Sequence, residues 1–330
     1  MKQFLELPNG IPAHDTFSRV FARLNPEQFP QCFLNWIKSI SNITSGEVVA
    51  IDGKTLRHSY DKGADKKAIH MVSAWATSQR LVLGQIKVNE KSNEITAIPE
   101  LIKVLELNGC IVTIDAMGCQ KQIVKLIVEQ GGNYVISLKK NQNSLYKRVE
   151  ELFKEAIKKS FEGFTHSCYQ TKEHSHGRDE IRHYLMLSNI SDQIDPKSEW
   201  DSLQTVGMVE SVRTVNGKTT VETRYYISSL TNNAQILGQS VRSHWGIENP
   251  LHWGGVSAGE ASPAEPPFLD VAFHEDDSRI RKDNAPENFA ILRHIALNLL
   301  NQEKSLKTGI KNKRLKAGWD NEYLAKVLAG

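Results

Sequence analysis

Between residues 48 and 138 the hydrophobic period of the chain switches in a fixed order, and that order restricts the fold more than any other feature. Val48-Val49-Ala50-Ile51 is a short β-branched run that closes on Asp52, the pattern of a strand buried on both faces. Residues 70–77 and 80–88 alternate apolar and polar, and Ser78-Gln79 between them predicts a hairpin. Residues 95–107 carry apolar side chains at 95, 98, 101, 102, 104, 105 and 107, a helix period that Asn108-Gly109 ends. Ile111-Val112-Thr113-Ile114 is a second β-branched run and closes on Asp115. Residues 120–130 return to helix spacing through Ile123, Val124, Leu126 and Ile127, Gly131-Gly132 stops them, and residues 133–138 read as a further strand.

Strand, strand, strand, helix, strand, helix, strand is the ribonuclease H-like order. The expected fold is therefore α/β, with a mixed five-stranded sheet, flanking helices, and acids at the ends of the first and fourth strands. Carboxylates on rigid strand ends are what a two-metal phosphoryl-transfer site needs, because divalent ions must be fixed a few ångströms apart before they can clamp a phosphate. Taken singly, either aspartate also fits a structural role as a helix N-cap or turn former. Asp52-Gly53 is a common turn pair.

A site of this kind needs a third carboxylate. The best candidate is Glu248, in the run 240–253, where helical spacing puts His244, Glu248 and His252 on one face and turns Ile247 and Leu251 towards the sheet. Glu275, Asp276 and Asp277 are the runners-up, although adjacent acids more often mark a solvated turn or a helix start. Lys54 and Arg57, just past the first aspartate, are candidate phosphate contacts. Arg242, His244 and Trp245, on the glutamate helix, are candidate DNA contacts as well, with a tryptophan on a half-buried helix more often part of the core.

The segments Ile51-Asp-Gly-Lys54, Thr113-Ile-Asp-Ala-Met117, His244-Trp-Gly-Ile-Glu-Asn249, Arg279-Ile-Arg281 and Asn284-Ala-Pro-Glu-Asn288 resemble bacterial insertion-sequence transposases, specifically the H-repeat-associated branch. The likeness runs over nearly the whole chain. It implies an aspartate, aspartate, glutamate triad at Asp52, Asp115 and Glu248, holding two Mg²⁺ or Mn²⁺ ions. It implies double-stranded DNA as partner, both element ends and target, and a homodimer where two ends are synapsed. A β-rich insertion before the glutamate helix is expected over residues 141–230, where two strand-like runs, 205–213 and 219–227, meet at Asn216-Gly217, a strong hairpin signal.

Two departures from the group are visible. The chain opens at residues 1–5, where relatives are expected to carry a further N-terminal helical region often assigned to end recognition. Residues 254–268 hold six Gly or Pro in fifteen positions, which cannot continue a helix and predict a loop, read as a foreign insertion. Three functions follow: a metal-dependent transposase that cleaves and joins DNA, an inactive remnant that still binds DNA, or a nuclease without strand transfer.

The formal net charge is only +3, yet Lys304, Lys307, Lys311, Lys313, Arg314 and Lys316 crowd residues 301–316 against Glu303 alone. A basic stripe of this density fits backbone phosphates, and Lys311, Lys313, Arg314 and Lys316 are its candidate DNA contacts. Charge alone fits a solvated C-terminal face equally well. Cys32, Cys110, Cys119 and Cys168 lack paired spacing, which argues for free thiols. His166, Cys168, His174 and His176 sit in a polar stretch and read as loop residues rather than metal ligands. No run approaches the ~18 continuous apolar residues of a membrane span, and no signal-peptide pattern is present, so a cytoplasmic, nucleoid-associated protein is expected. The expected division is a helical cap (1–45, with two short helices over 14–40 split by Pro26 and Pro30), the first part of the core (46–140), the insertion (141–230), the remainder of the core interrupted by the 254–268 loop (231–300), and a basic tail (301–330).

Overall fold

A computed structural model describes residues 6–60, 67–89, 93–175, 178–247 and 268–329. Two helices come first, α1 (His14–Arg23) and α2 (Gln28–Ile40). Pro30 does not divide them: it sits in the first turn of α2, where an absent N–H leaves no hydrogen bond unmade. The break falls earlier, where Asn25 Oδ1 accepts from the backbone N–H groups of Glu27 and Gln28.

The core then follows in the expected order: β1 (Val48–Thr55), β2 (His70–Ala76), β3 (Leu81–Val88), α3 (Glu94–Val104), β4 (Ile111–Ile114), α4 (Lys121–Glu129) and β5 (Asn133–Leu138). The strands lie in the order β3-β2-β1-β4-β5, with β2 antiparallel to its neighbours and β1, β4 and β5 mutually parallel. This is a ribonuclease H-like core. Val49, Ala50 and Ile51 are fully buried, which explains why β1 reads as a continuous apolar run rather than an alternation. Asp52-Gly53 is not a turn, since β1 runs on to Thr55 and pairs with β2 throughout.

The region between β5 and the next core helix contains α5 (Asn143–Lys158), β6 (Thr165–Ser175), β7 (Arg178–Ser188), the single turn α6 (Ser191–Ile194), β8 (Thr205–Val215) and β9 (Lys218–Ser228). Its strands are not a separate sheet. β9 pairs antiparallel with β5, so the core sheet continues to nine strands in the order β3-β2-β1-β4-β5-β9-β8-β7-β6. At the β8–β9 hairpin Asn216 and Gly217 have φ of 50° and 76°, the two left-handed residues of a type I′ turn, and glycine takes the second without steric penalty. His166, Cys168 and His174 lie on β6 rather than in a loop, while His176 lies outside the described residues. All four cysteines are free thiols.

The chain ends in α7 (Ala234–Ile247), α8 (Phe268–Phe273), α9 (Ala285–Gln302), α10 (Ile310–Trp319) and α11 (Asn321–Ala329). Ala234, Leu237 and Val241 of α7 bury themselves against Ile111, Val135, Tyr184, Met186, Val209 and Tyr226 of the sheet. Helix α9 seals the edge strand β3: Asn298 accepts from Val82 N–H at 2.8 Å and donates to Val82 C=O at 2.9 Å, satisfying backbone groups that an open edge would leave exposed to mispairing. Residues 301–329 form no loose tail, because α10 and α11 pack on α9 and on each other. Of the stretch 254–268, only Phe268, the first residue of α8, lies within the described residues.

Candidate active site

Ile51 of β1 and Ile114 of β4 are register partners on parallel strands. Asp52, still within β1, and Asp115, the first residue past β4, therefore sit side by side, on backbones about 4.8 Å apart. The two-residue period puts Asp115 on the same face as Thr113, which touches α7. Asp52 shares its face with Val48, which packs in the same cluster as α7. Both carboxylates thus project beneath the helix that leads to residue 248.

The local chain holds Asp115 firmly. Its Oδ1 accepts from the N–H groups of Met117 at 2.9 Å and Gly118 at 3.3 Å, capping the 3-10 turn Ala116–Gly118. The N-cap role expected of a lone acid is real, and it coexists with a position in the site. Burial pushes the Asp115 carboxyl above the usual carboxylate range, and the negative charge of Glu94 adds to it, while the two N–H donors and Lys139 work the other way. A bound cation would relieve this desolvation.

On the α7 side, His244 is buried and its Nδ1 lies 3.1 Å from Thr113 Oγ1. Burial lowers its pKa to about 4, with the Thr113 bond opposing and the charge of Arg224 reinforcing the shift, so the ring is neutral near pH 7. It is a fixed element between helix and strand rather than an exposed phosphate contact. Trp245 is half-buried, with the Arg224 guanidinium 4.7 Å from its ring centroid. Arg242 is held by Glu173 at 2.9 Å. A cavity of about 90 Å³ opens here, lined by Asp115, Lys139, Arg224, His244 and Trp245 among others. Lys139 and Arg224 escaped the sequence reading. Lys139 had a usable signal, one residue past the strand next to β4, but Arg224 comes from the far hairpin and only the β5–β9 pairing delivers it.

Lys54 and Arg57 both face the acidic run that follows α8. The Lys54 ammonium is buried and lies 2.9 Å from Asp270, 3.1 Å from Glu275 and 3.6 Å from Asp276. Burial alone opposes its charge, but those three carboxylates outweigh it and raise its pKa. This pinning accounts for Glu275 and Asp276 of the acidic run, Glu275 being buried on Lys54 and Arg293, while Asp277 is exposed and faces His274. Arg57, exposed, reaches Asp276 at 3.5 Å.

The C-terminal cations have different surroundings, although Lys304, Lys307, Lys311 and Lys313 line one cavity. Lys313 is buried, its Nζ donating to the carbonyls of Leu300 and Glu303. Arg314 lies over the ring of Phe273 at 5.8 Å. Lys316 pairs with Asp320 at 3.6 Å, and Lys311 is exposed beside a cavity of about 620 Å³ that also meets Arg80, Lys304 and Lys307. Glu248, the expected third carboxylate, lies outside the described residues, as do Leu251, His252 and Trp253. Among the described residues no three His, Cys, Asp or Glu side chains are grouped to hold a metal ion.

Residues 43–259 match the family model described as a transposase DDE domain, and residues 1–37 match the model of the region associated with that domain. YbfL of Escherichia coli K12 is 43% identical over 334 aligned residues, covering 100% of this chain and 84% of that protein. YhhI of the same strain, an H repeat-associated protein described as a candidate transposase, is 43% identical with the same shares covered. A solved piggyBac transposase synaptic complex with hairpin DNA superposes at a TM-score of 0.41 and 11% identity, covering 96% of this chain and 61% of that one. That superposition is too loose to add to a fold assignment resting on strand order.

Proposed function

The chain belongs to the transposase DDE domain family, and from that premise we propose that it catalyses metal-dependent cleavage and strand transfer of DNA at the ends of an insertion sequence. One observation carries the reading: Asp52 on β1 and Asp115 just past β4 are neighbours across paired parallel strands, and α7, whose last residue precedes Glu248 in sequence, packs on β1 and β4. In this reading the three carboxylates form the ion-binding site. Its donors are all oxygens, which suits Mg²⁺ or Mn²⁺ and not zinc. Two such ions, when bound, supply the charge that activates the attacking hydroxyl and steadies the leaving oxygen.

The chain's own groups do the positioning. Backbone N–H groups of Met117 and Gly118 fix the Asp115 carboxylate, so its geometry is set before substrate arrives. Lys139 and Arg224, lining the same cavity, are placed to face a phosphate and offset its charge. Double-stranded DNA is the proposed partner, and a homodimer is the form that would bring two ends together. Among the described residues no helix is long and apolar enough to cross a membrane, and the proposed location is the nucleoid.

The test uses duplex DNA carrying the element's terminal repeat with Mg²⁺ or Mn²⁺. Cleavage that Asp52→Asn and Asp115→Asn each reduce by ~10³-fold or more, followed by joining of a pre-nicked 3′ hydroxyl to target DNA, is the expected result. Cleavage without joining would make the protein a nuclease. Binding without cleavage would make it a remnant.

A further inference from the structure

Gly53, immediately after Asp52, is a strand residue whose side-chain space is already filled. A methyl group there would collide with the Glu94 carboxylate and the His70 ring. Those two form a pair, His70 Nε2 lying 2.5 Å from Glu94 Oε1 with the side chains 27% and 16% exposed. Behind them His70 Nδ1 meets Thr55 Oγ1 at 2.7 Å, across the β1–β2 register. A glutamate in the first turn of a helix ordinarily answers the helix dipole from solvent. Glu94, the first residue of α3, is instead folded down onto the backbone that carries the first aspartate, and its charge is felt at Asp115.

We propose that the Glu94–His70 pair is a positioning unit of the ion site: resting on Gly53, it fixes β1 next to Asp52 and adds the Glu94 carboxylate to the acids behind Asp52 and Asp115. This rests on the reading of the two aspartates as ion ligands. His70 orients the glutamate, the Thr55 hydroxyl orients His70, and the chain of contacts ends at the residue next to Asp52. Such outer carboxylates strengthen cation binding without touching substrate. The missing side chain at Gly53 is what lets the pair approach so closely.

Binding of Mn²⁺ to the full chain without DNA, measured by calorimetry, tests this against thermal stability in metal-free buffer. Glu94→Gln, which keeps the shape and removes the charge, is expected to weaken Mn²⁺ binding by ~10- to 100-fold with little change in melting temperature. Glu94→Asp should recover part of the loss. Glu94→Gln binding like the wild type while Asp115→Asn loses the ion would overturn the proposal and leave the two-aspartate site standing. No saturable binding by the wild type would instead remove the ion site itself. Should Glu94→Gln not fold, Gly53→Ala, which keeps the charge but pushes the carboxylate off the strand, is expected to weaken binding likewise, and unchanged affinity there would overturn the proposal.

Discussion

His244 of α7 and Thr113 of β4 meet through a buried 3.1 Å hydrogen bond two residues before Asp115. The contact helps set where the covering helix sits over the end of β4. Thr113→Val keeps the volume and removes the partner, leaving a buried ring nitrogen unsatisfied. A loss of ~1–3 kcal/mol in urea unfolding is expected, and a variant as stable as the wild type would show that the bond holds nothing in place.

Two buried histidines make the fold acid-sensitive. Burial lowers His244 to about 4 and His294 to about 3, with Arg224 reinforcing the first and Lys54 and Arg293 the second. An unfolded histidine titrates near 6.5, so below that pH the unfolded chain takes up protons that the folded chain refuses. Stability is then whole above about pH 6.5 and falls as pH drops towards 4, by about 1.4 kcal/mol per unit for each histidine. Urea midpoints between pH 7.5 and 4.5 should show this slope, and His294→Gln should flatten it.

Lys54 is predicted to matter for folding before it matters for DNA. Replacing it by methionine leaves Asp270, Glu275 and Asp276 without their shared cation. Removing one partner of a buried ion pair costs ~3–5 kcal/mol, and denaturation should register that loss. A stable Lys54→Met protein with selectively weakened DNA binding would return Lys54 to the role of phosphate contact.

The C-terminal cations should separate into two kinds. Lys311→Ala, on an exposed side chain, is expected to weaken duplex binding irrespective of sequence and to reduce the slope of log K against log salt by about one. Lys313→Ala should instead lower stability, because its ammonium serves the carbonyls that close α9. Filter binding over a salt series, beside thermal melts, distinguishes the two. Equal salt slopes for the wild type and Lys311→Ala would exclude Lys311 from the interface.

Glu248→Gln removes the charge of the proposed third ligand. If the glutamate is the third ligand, cleavage should fall as far as with Asp52→Asn, by ~10³-fold, while duplex binding stays within a few-fold of the wild type. Unaltered cleavage would transfer the third role to another carboxylate.

Much of this protein was legible in its residues because the relevant signals are local. Strand and helix periods between 48 and 138 and the Asn216-Gly217 turn depend on neighbours in sequence, and the ordered core follows them; of the two acids expected at strand ends, Asp115 follows the last residue of β4, whereas β1 continues three residues beyond Asp52 because it stays paired with β2. What sequence could not determine was partnership over distance. Lys54 has the same composition whether it faces phosphate or Asp270, and the choice depends on α8, more than two hundred residues away. The four strands beyond β5 could have made a separate sheet, and only the β5–β9 pairing joined them to the core and brought Arg224 to the cavity beside Asp115. Gly53 read as a turn residue until β1 was seen to pass straight through it, kept bare by a glutamate from α3. Local backbone preference is written in adjacent side chains, whereas charge neutralisation and close packing are decided by whichever groups the finished fold brings within a few ångströms.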